Sequence, residues 1–295
     1  MIKTSVDRDV GVPMRKKQLK SRLATKNRQN KKVDSSVEIL GVSISSTRKV
    51  DLLKKLWLQR KEMLHVATVN SEYIVERRSN PRFAAALARC TTIADGWGGV
   101  WADKILKWGT PTQARGLLTG PSRSTTSLDR ITGVELVENI LWHADETGEK
   151  VFLLGAQPGV AERAAAAMSK KYPGARLAWY AGAQTVRLER SEEASMTIAK
   201  INAEEPDYLL VAYGSPWQDI WIEDNRPYLR VRVAVGVGGV LDEWAGVQKP
   251  APAWVDRLGG KWLFRLLHEP WRAKRIMRVF EFAALVWWQR LKNSL

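Results

Sequence analysis

Short apolar runs alternate with longer amphipathic stretches between about residue 36 and residue 249. The runs rich in β-branched residues predict strands at VEILGVSI, HVATVN, TTIAD, KVFLLG, ARLAWY, DYLLVAYG and VRVAVGVGG. The stretches with apolar residues at three- and four-residue spacing predict helices at TRKVDLLKKLWLQR, ITGVELVENILWHADETG, PGVAERAAAAMSKKY and SEEASMTIAKINAE. Several strands are apolar throughout, as in parallel sheets that helices cover on both faces. The pattern therefore predicts an α/β, Rossmann-like fold with a mostly parallel sheet.

Composition divides the chain into three parts. Residues 1–34 are dense in Lys, Arg, Asn and Gln, so we expect a disordered basic tail. Residues 35–249 carry the α/β pattern and form the expected catalytic domain. Within it, the segment between Leu106 and Arg130 is rich in Gly, Ser, Thr and Pro, which predicts a long loop or lid. Residues 250–295 have helical spacing and form the expected C-terminal appendage.

The C-terminal appendage is crowded with tryptophan and basic residues. Its tryptophans are Trp254, Trp262, Trp271, Trp287 and Trp288. Rings beside cations are typical of a helix that lies in a membrane interface. The alternative is a helix packed on the core with solvated arginines. We expect membrane contact, because so many tryptophans at one chain end are hard to bury together.

The charge balance calls for an anionic partner. The 295 residues include 47 Lys+Arg and 31 Asp+Glu, a net charge of +16. Nucleic acid, an acidic membrane surface and phosphorylated substrates all fit that charge. No segment reaches the roughly 20 apolar residues of a membrane-spanning helix, and no secretory signal is visible. We therefore expect a cytoplasmic protein.

Metal and disulfide chemistry are not expected. Cys90 is the one cysteine of the chain, which is taken to exclude both intramolecular disulfides and a cysteine-based zinc site. The histidines, His65, His143 and His268, show no metal-ligand spacing and are expected to be structural. A D-x-D motif, Asp7 to Asp9, lies in the basic tail, where it is poorly placed to hold a metal and a diphosphate. No cofactor is expected either.

Small or polar residues follow the predicted strands. They are Thr68 and Asn70, Asp95, Gly155 and Gly159, Gly214 and Gln218, and Gly238 and Gly239. Ligands of open α/β sheets bind beyond the carboxyl ends of the strands. Glycines ahead of helices let backbone N–H groups approach a phosphate, so a nucleotide or diphosphate ligand is expected. The chain lacks the motifs of P-loop NTPases, of G-x-G-x-x-G dinucleotide enzymes and of G-x-S-x-G hydrolases.

Asp95 stands out because it is a single carboxylate in the stretch TTIADGWGGVW. It could cap the following helix, or it could accept a proton as a general base. Thr68 and Asn70 could bind substrate or simply end a strand. Arg130 could bind substrate or pair with a neighbouring carboxylate. Trp97 and Trp101 share one helical face and are expected in the core.

These strand ends, in this order, resemble one known protein family. The motifs are TVNSEYI, ADGWGGVW, RITGVEL, VFLLGAQPGVAE, PDYLLVAYGSPWQDIWI, VAVGVGGVLDEWAG and APAWVDRLGGKWLFRLLHEPWR, and they span roughly residues 38–280. Together they resemble the WecG/TagA/CpsF family of bacterial glycosyltransferases, glycosyltransferase family 26. The family pattern lacks the basic tail, and the loop before RITG looks longer than usual.

The resemblance implies an inverting transfer of a sugar from a UDP-sugar to a polyprenyl-diphosphate-linked sugar at the cytoplasmic membrane face, for a surface or secreted polysaccharide. It implies that Asp95 is the general base and that Thr68 and Asn70 lie in the active site. It also implies substrate contacts from Gln218 and from the appendage arginines Arg265, Arg272 and Arg275. Arginines suit the departing UDP because a planar guanidinium binds phosphate oxygens in pairs.

A second hypothesis comes from another class of protein. The basic tail and the net charge also fit a nucleic-acid-binding protein whose α/β domain is structural. No recognition module for RNA or DNA is visible, and the excess charge is concentrated at the two chain ends. The sequence does not discriminate among transferred sugars, and it leaves homo-oligomerisation open.

Overall fold

The computed structural model describes residues 36–108, 128–248 and 273–293, together with residues 252, 255 and 264. Six strands form the main sheet: β3 (Leu64–Val69), β4 (Thr91–Ala94), β5 (Lys150–Gly155), β6 (Arg176–Tyr180), β7 (Tyr208–Ala212) and β8 (Val233–Gly236). Their order across the sheet is β4-β3-β8-β7-β5-β6, and every pairing is parallel. The predicted Rossmann-like α/β fold is confirmed.

The predicted first strand is instead a hairpin. Strands β1 (Ser36–Ile39) and β2 (Val42–Ser45) pair antiparallel in a separate two-stranded sheet. The chain reverses at Leu40 and Gly41, whose φ angles of 50° and 79° both lie in the left-handed region. A two-residue turn with both angles positive matches the twist of a tight hairpin. The single-strand prediction for VEILGVSI was therefore wrong, because a turn lies within an apolar run.

Ten helices lie in the part of the chain that the structure describes. They are α1 (Lys49–Leu58), α2 (Ser71–Ser79), α3 (Pro81–Leu87), α4 (Trp97–Lys107), α5 (Gly133–Thr147), α6 (Val160–Lys171), α7 (Ser191–Glu204), α8 (Trp217–Asn225), α9 (Val240–Trp244) and α10 (Ala273–Lys292). Helix α5 shows why its bounds follow from sequence. The Thr132 hydroxyl accepts from the Glu135 N–H at its start, and Gly148 ends it in the left-handed conformation.

Both faces of the sheet are covered. Alternate residues of each strand point to opposite sides, so that Leu153 and Leu210 join one buried cluster while Leu154 and Val211 join another. The first cluster includes apolar residues of α1, α5, α6 and α9. The clusters on the opposite face include residues of α2, α3, α4 and α8. This arrangement explains why the strands of the main sheet contain so few polar residues.

The C-terminal helix α10 packs on the α/β domain. Its Phe282 and Val286 are buried in the same cluster as residues of α2 and α4. The starts of α2 and α4 approach closely, since a Cβ added at Gly98 would lie 2.1 Å from the Ser71 Oγ. Helix α10 therefore contacts the two helices that follow β3 and β4. The expected basic tail at residues 1–34 lies outside the described residues, and so does most of the expected loop between Leu106 and Arg130.

Candidate active site

Asp95 directly follows β4 at the carboxyl edge of the sheet. Its backbone N–H donates to the Val69 carbonyl of the neighbouring strand, at 2.8 Å. The residue that caps α4 is Gly96, with φ of 80° and no side-chain capping bond. Asp95 therefore directly precedes the N-cap position of the helix that follows it. Its side chain is half-buried at the strand end.

A second helix begins beside the Asp95 carboxylate. The Gly133 N–H at the start of α5 donates to Asp95 Oδ1, with 3.4 Å between the two atoms. Helix α5 is brought there because Arg130 forms a parallel bridge with Ala94 and the Ile131 N–H donates to the Ala94 carbonyl. The positive end of a helix stabilises a negative charge nearby. The carboxylate is thus held beside the N-terminus of a second helix.

Thr68 lies on β3, the strand next to Asp95, and Asn70 directly follows that strand. Thr68 is buried, and its hydroxyl donates to the Gly236 carbonyl of β8 at 3.4 Å. A Cβ added at Gly133 would lie 3.9 Å from the Thr68 Oγ1, which places the threonine beside the start of α5. The Asn70 Oδ1 accepts from the Tyr73 N–H and so caps α2. Both residues have structural contacts, and the sheet places both near Asp95.

Arg130 and Trp97 form a stacked pair beside Asp95. The Arg130 guanidinium carbon lies 5.0 Å from the centre of the Trp97 ring, a cation–π distance. Trp97 begins α4 and is 43% exposed, so its predicted place in the core was wrong. Trp101, one turn later, is partly buried against Phe282 as expected. Trp97 is the first residue of its helix and is exposed at the carboxyl edge of the sheet, a position that helical periodicity alone does not reveal.

Gln218 is buried at the start of α8 and holds the turn after β8. Its Oε1 accepts from the Gly238 N–H at 2.9 Å, and its Nε2 donates to the Tyr73 hydroxyl at 2.7 Å. Gly238 has φ of 54°, and no described atom lies within 4 Å of a Cβ built there. The glycine backbone is therefore open to a close approach by a ligand. Gln218 fixes this backbone from behind.

The remaining predicted glycines lie at the same edge of the sheet, on strands increasingly distant from β4. Gly239 follows β8, Gly214 follows β7, and Gly155 ends β5. A Cβ at Gly155 would lie 2.9 Å from the Tyr213 ring, so the close approach of Tyr213 explains this glycine. Four inter-strand spacings of about 4.8 Å separate β4 from β5, so about 19 Å separates their ends. Gly155 is therefore remote from the carboxylate.

A buried polar network continues from Gln218 and was not predicted. The Tyr73 hydroxyl donates to Asp219 Oδ2 at 2.8 Å, and Asp219 Oδ1 lies 3.2 Å from His65 Nε2. His65 Nδ1 lies 2.7 Å from Glu223 Oε1, which Arg226 also contacts. Asp219 and Glu223 interrupt the apolar run of α8, and a buried carboxylate requires partners. These two carboxylates within an apolar run were the sequence signal that could have predicted the buried network.

The network shifts the ionisation of its members. Burial lowers the pKa of His65, but its contacts with Cys90, Asp219 and Glu223 outweigh burial and place the pKa well above its ordinary value. Burial disfavours the ionised Glu223 carboxylate, but hydrogen bonds from His65 and Arg226 lower its pKa to about 2. Burial, followed by the charge of Asp219, raises the pKa of Tyr73. The tyrosine is thus a neutral donor inside the network.

The side chains of the appendage arginines lie outside the part of the chain that the structure describes. Arg265 and Arg272 lie outside the described residues, and for Arg275 only the backbone, in helix α10, is described. Helix α10 itself contacts α2 and α4, which begin beside Asn70 and Asp95. In the part of the chain that the structure describes, no helix is long and apolar enough to span a membrane.

Two cavities lie at the opposite, amino edge of the sheet. One, of about 400 Å³, is lined by the β1–β2 hairpin, α3 and the start of β4, including Cys90 and Thr91. The other, of about 490 Å³, is lined by basic residues that include Arg226 and Arg230. Neither contacts Asp95. In open α/β sheets ligands bind at the carboxyl edge, so we assign the site by its chemistry at that edge.

Comparison with known proteins gives one family. The sequence profile of the Glycosyl transferase WecG/TagA/CpsF family matches residues 37–295. This range includes the whole α/β domain and α10, and it leaves out only the basic N-terminal residues.

Three similar proteins share one name, N-acetylglucosaminyldiphosphoundecaprenol N-acetyl-beta-D-mannosaminyltransferase. The protein of that name from Bacillus spizizenii (strain ATCC 23059 / NRRL B-14472 / W23) is 30% identical over 238 residues, 80% of this chain and 84% of the relative. The Bacillus subtilis (strain 168) protein is 26% identical over 246 residues, 83% of this chain and 87% of the relative. The Staphylococcus aureus (strain MRSA252) protein is 29% identical over 250 residues, which cover 83% of this chain and 88% of the relative.

Proposed function

Because the chain belongs to the WecG/TagA/CpsF family of glycosyltransferases, we propose that it extends a lipid-linked saccharide by one sugar. The donor is a UDP-sugar, and the acceptor is a sugar on a polyprenyl diphosphate. The similar proteins named above are N-acetylmannosaminyltransferases that act on N-acetylglucosaminyldiphosphoundecaprenol. N-acetylmannosamine is therefore the proposed sugar, and the product is a precursor of a cell-surface polymer.

One observation carries the mechanism. The Asp95 carboxylate lies at the carboxyl edge of β4, is half-buried, and accepts from the first N–H of α5. A carboxylate in that position has its charge stabilised and its orientation fixed. Positioned bases of this kind contribute about 10²–10⁴ in rate.

The chemical step needs one base. Asp95 accepts the proton of the acceptor hydroxyl while that oxygen attacks the anomeric carbon from the face opposite the diphosphate. The new glycosidic C–O bond forms, the bond from the anomeric carbon to the UDP oxygen breaks, and UDP departs with the electron pair. The configuration at the anomeric carbon is inverted, because attack and departure occur on opposite faces. Thr68 on β3 and Asn70 just after it, both near Asp95, orient substrate hydroxyls.

Cationic groups and backbone donors stabilise the departing diphosphate. Helices α4, α5 and α8 begin at the carboxyl edge of the sheet, so that their N-termini favour negative charge there. Arg130 lies at this edge over Trp97. Arg265, Arg272 and Arg275 are assigned to the diphosphate from the family resemblance, and the transfer itself is proposed to need no metal ion.

Helix α10 supports a peripheral attachment to the inner face of the plasma membrane. One side of it is buried through Phe282 and Val286. Its exposed large apolar residues are Met277, Phe280, Trp287, Trp288 and Leu291. Exposed tryptophans beside basic side chains suit the headgroup region of an anionic membrane. A lipid-linked acceptor is located in that membrane, so this attachment brings the site to its substrate.

A substrate panel tests the proposal. The purified full chain is incubated with UDP-N-acetylmannosamine, UDP-N-acetylglucosamine or UDP-glucose, each with and without a short-chain polyprenyl-diphosphate N-acetylglucosamine. We expect UDP release and a disaccharide product with UDP-N-acetylmannosamine, and only when acceptor is present. A different productive donor would correct the sugar and keep the reaction class.

The nucleic-acid hypothesis predicts another result. No donor would be consumed, and the full chain would shift an RNA or DNA probe with steep salt dependence that is lost when residues 1–34 are removed. That combination would overturn the proposed transferase activity.

A further inference from the structure

A cluster of potential metal ligands lies at the amino edge of the sheet, away from Asp95. His65 is on β3, Cys90 is in the turn between α3 and β4, and Glu223 is on α8. The Cys90 Sγ lies 3.1 Å from His65 Nδ1, which lies 2.7 Å from Glu223 Oε1. The three ligand atoms all lie within 4.8 Å of one another. Residues separated by 25 and 158 positions meet here, which is why sequence spacing predicted no metal site.

The residues around the cluster orient it for a metal ion. Asp219 Oδ1 lies 3.2 Å from His65 Nε2, so the Nε2 proton would stay with Asp219 when the ion displaces the Nδ1 proton, and the Nδ1 lone pair would then face Cys90 and Glu223. A carboxylate on the far nitrogen is the usual support of a metal-binding histidine. Arg226 donates to both oxygens of Glu223 and fixes that carboxylate. Glu223, His65 and Asp219 are all buried.

We propose that His65, Cys90 and Glu223 bind one Zn²⁺ ion as a structural site. The donor set of imidazole, thiolate and carboxylate is typical of zinc rather than of magnesium or calcium. The formal charges cancel, because the Zn²⁺ ion and Arg226 together carry +3 and the Cys90 thiolate, Glu223 and Asp219 together carry −3. The 400 Å³ cavity that Cys90 lines provides an entry path and room for a water as fourth ligand.

Small movements admit the ion. Zinc bonds of about 2.0–2.3 Å in a tetrahedral arrangement place neighbouring ligand atoms about 3.3–3.5 Å apart. The Nδ1–Oε1 and Nδ1–Sγ distances are 2.7 and 3.1 Å, so each pair separates by about 0.5 Å. The ion would link β3, the α3–β4 turn and α8. Through Asp219, Tyr73 and Gln218 it would also stiffen the Gly238 turn.

Cobalt substitution tests the site directly. The untagged full chain, washed with a chelator, is titrated with Co²⁺ without oxygen. We expect one ion per chain and a thiolate-to-cobalt charge-transfer band, which must come from Cys90 because the chain has one cysteine. Cys90→Ala, His65→Gln and Glu223→Gln are expected to weaken binding at least tenfold, and Asp219→Asn about 10–100-fold. His143→Gln is the matched control and should bind as the original chain does.

A measurement on the unsubstituted chain covers the case in which a variant does not fold. Zn²⁺ should slow alkylation of Cys90 by iodoacetamide at least tenfold and raise the melting temperature. The proposal is overturned if saturating Co²⁺ gives no charge-transfer band, if half an ion binds per chain, or if Zn²⁺ leaves the alkylation rate unchanged. In those cases the cluster is a buried imidazolium between carboxylates.

Discussion

The N–H of Gly133 donates a hydrogen bond to the Asp95 carboxylate, although the two residues are 38 positions apart in the chain. The glycine begins α5, and the aspartate directly follows β4. The N-cap position of α4 is Gly96, one residue further along the chain. The contact gives the proposed base a fixed position and the favourable field of a helix N-terminus.

Asp95→Asn tests the base. The asparagine keeps an oxygen that can accept from Gly133, so we expect an unchanged fold by circular dichroism and melting temperature. Without a proton acceptor the turnover number should fall by about 10²–10⁴. Asp129→Asn is the matched control, because Asp129 is an exposed carboxylate just before Arg130. Near-normal turnover by the Asp95 variant would remove Asp95 from the mechanism.

Trp97→Ala tests the stacked pair at the site. The ring is exposed beside Asp95 and under Arg130, which suits it to contact a sugar or base. We expect KM for donor or acceptor to rise about tenfold, equivalent to about 1.4 kcal/mol, with little change in melting temperature. Trp179→Ala is the control, since Trp179 is equally exposed, at 43%, on the distant strand β6. Equal kinetics for both variants would show that Trp97 does not contact substrate.

Gln218→Ala tests the support of the Gly238 turn. The change leaves the Gly238 N–H without its partner and removes a donor from the Tyr73 hydroxyl. A buried group left unsatisfied costs about 1–3 kcal/mol, so denaturant melts should show a loss of that size. Activity should fall as well, because the turn lies at the proposed diphosphate site. Gln157→Ala, at an exposed position, is the control and should change neither stability nor activity. A Gln218→Ala variant as stable and active as the original chain would contradict the positioning role of Gln218.

The double variant Trp287→Ser/Trp288→Ser tests the membrane contact of α10. Both rings are exposed, while Phe282 and Val286 hold the helix on the core. We expect the protein to float less with anionic liposomes and to lose activity on a membrane-embedded acceptor, but not on a soluble short-chain one. The control replaces Leu188 and Met196, which are exposed apolar residues elsewhere. Unchanged flotation of the tryptophan variant would contradict the proposed contact.

Local pattern determined the architecture of this protein. Strand and helix periodicities come from backbone geometry over a few residues, so the six sheet strands and the helices α1, α5, α6 and α7 could be predicted from sequence. The short helices α2 and α3 between β3 and β4 were not predicted. The order of strand ends also pointed to Asp95, Thr68 and Asn70, because parallel strands bring their carboxyl ends to one edge. The hairpin at Leu40 and Gly41 was not predicted, since no polar residue interrupts the apolar run at the turn. Only the positive φ angles of these two residues distinguish the turn from a continuous strand.

Tertiary structure decided the partners of each side chain. Helical periodicity predicted Trp97 in the core, but Trp97 is the first residue of α4 and its ring is exposed. Gln218 was expected to contact a ligand, and its side chain instead binds Gly238 and Tyr73. His65, Cys90 and Glu223 carried no spacing signal, yet packing of β3, α3 and α8 brings them together. Contacts over such separations depend on how whole elements pack, and no short stretch of sequence encodes that.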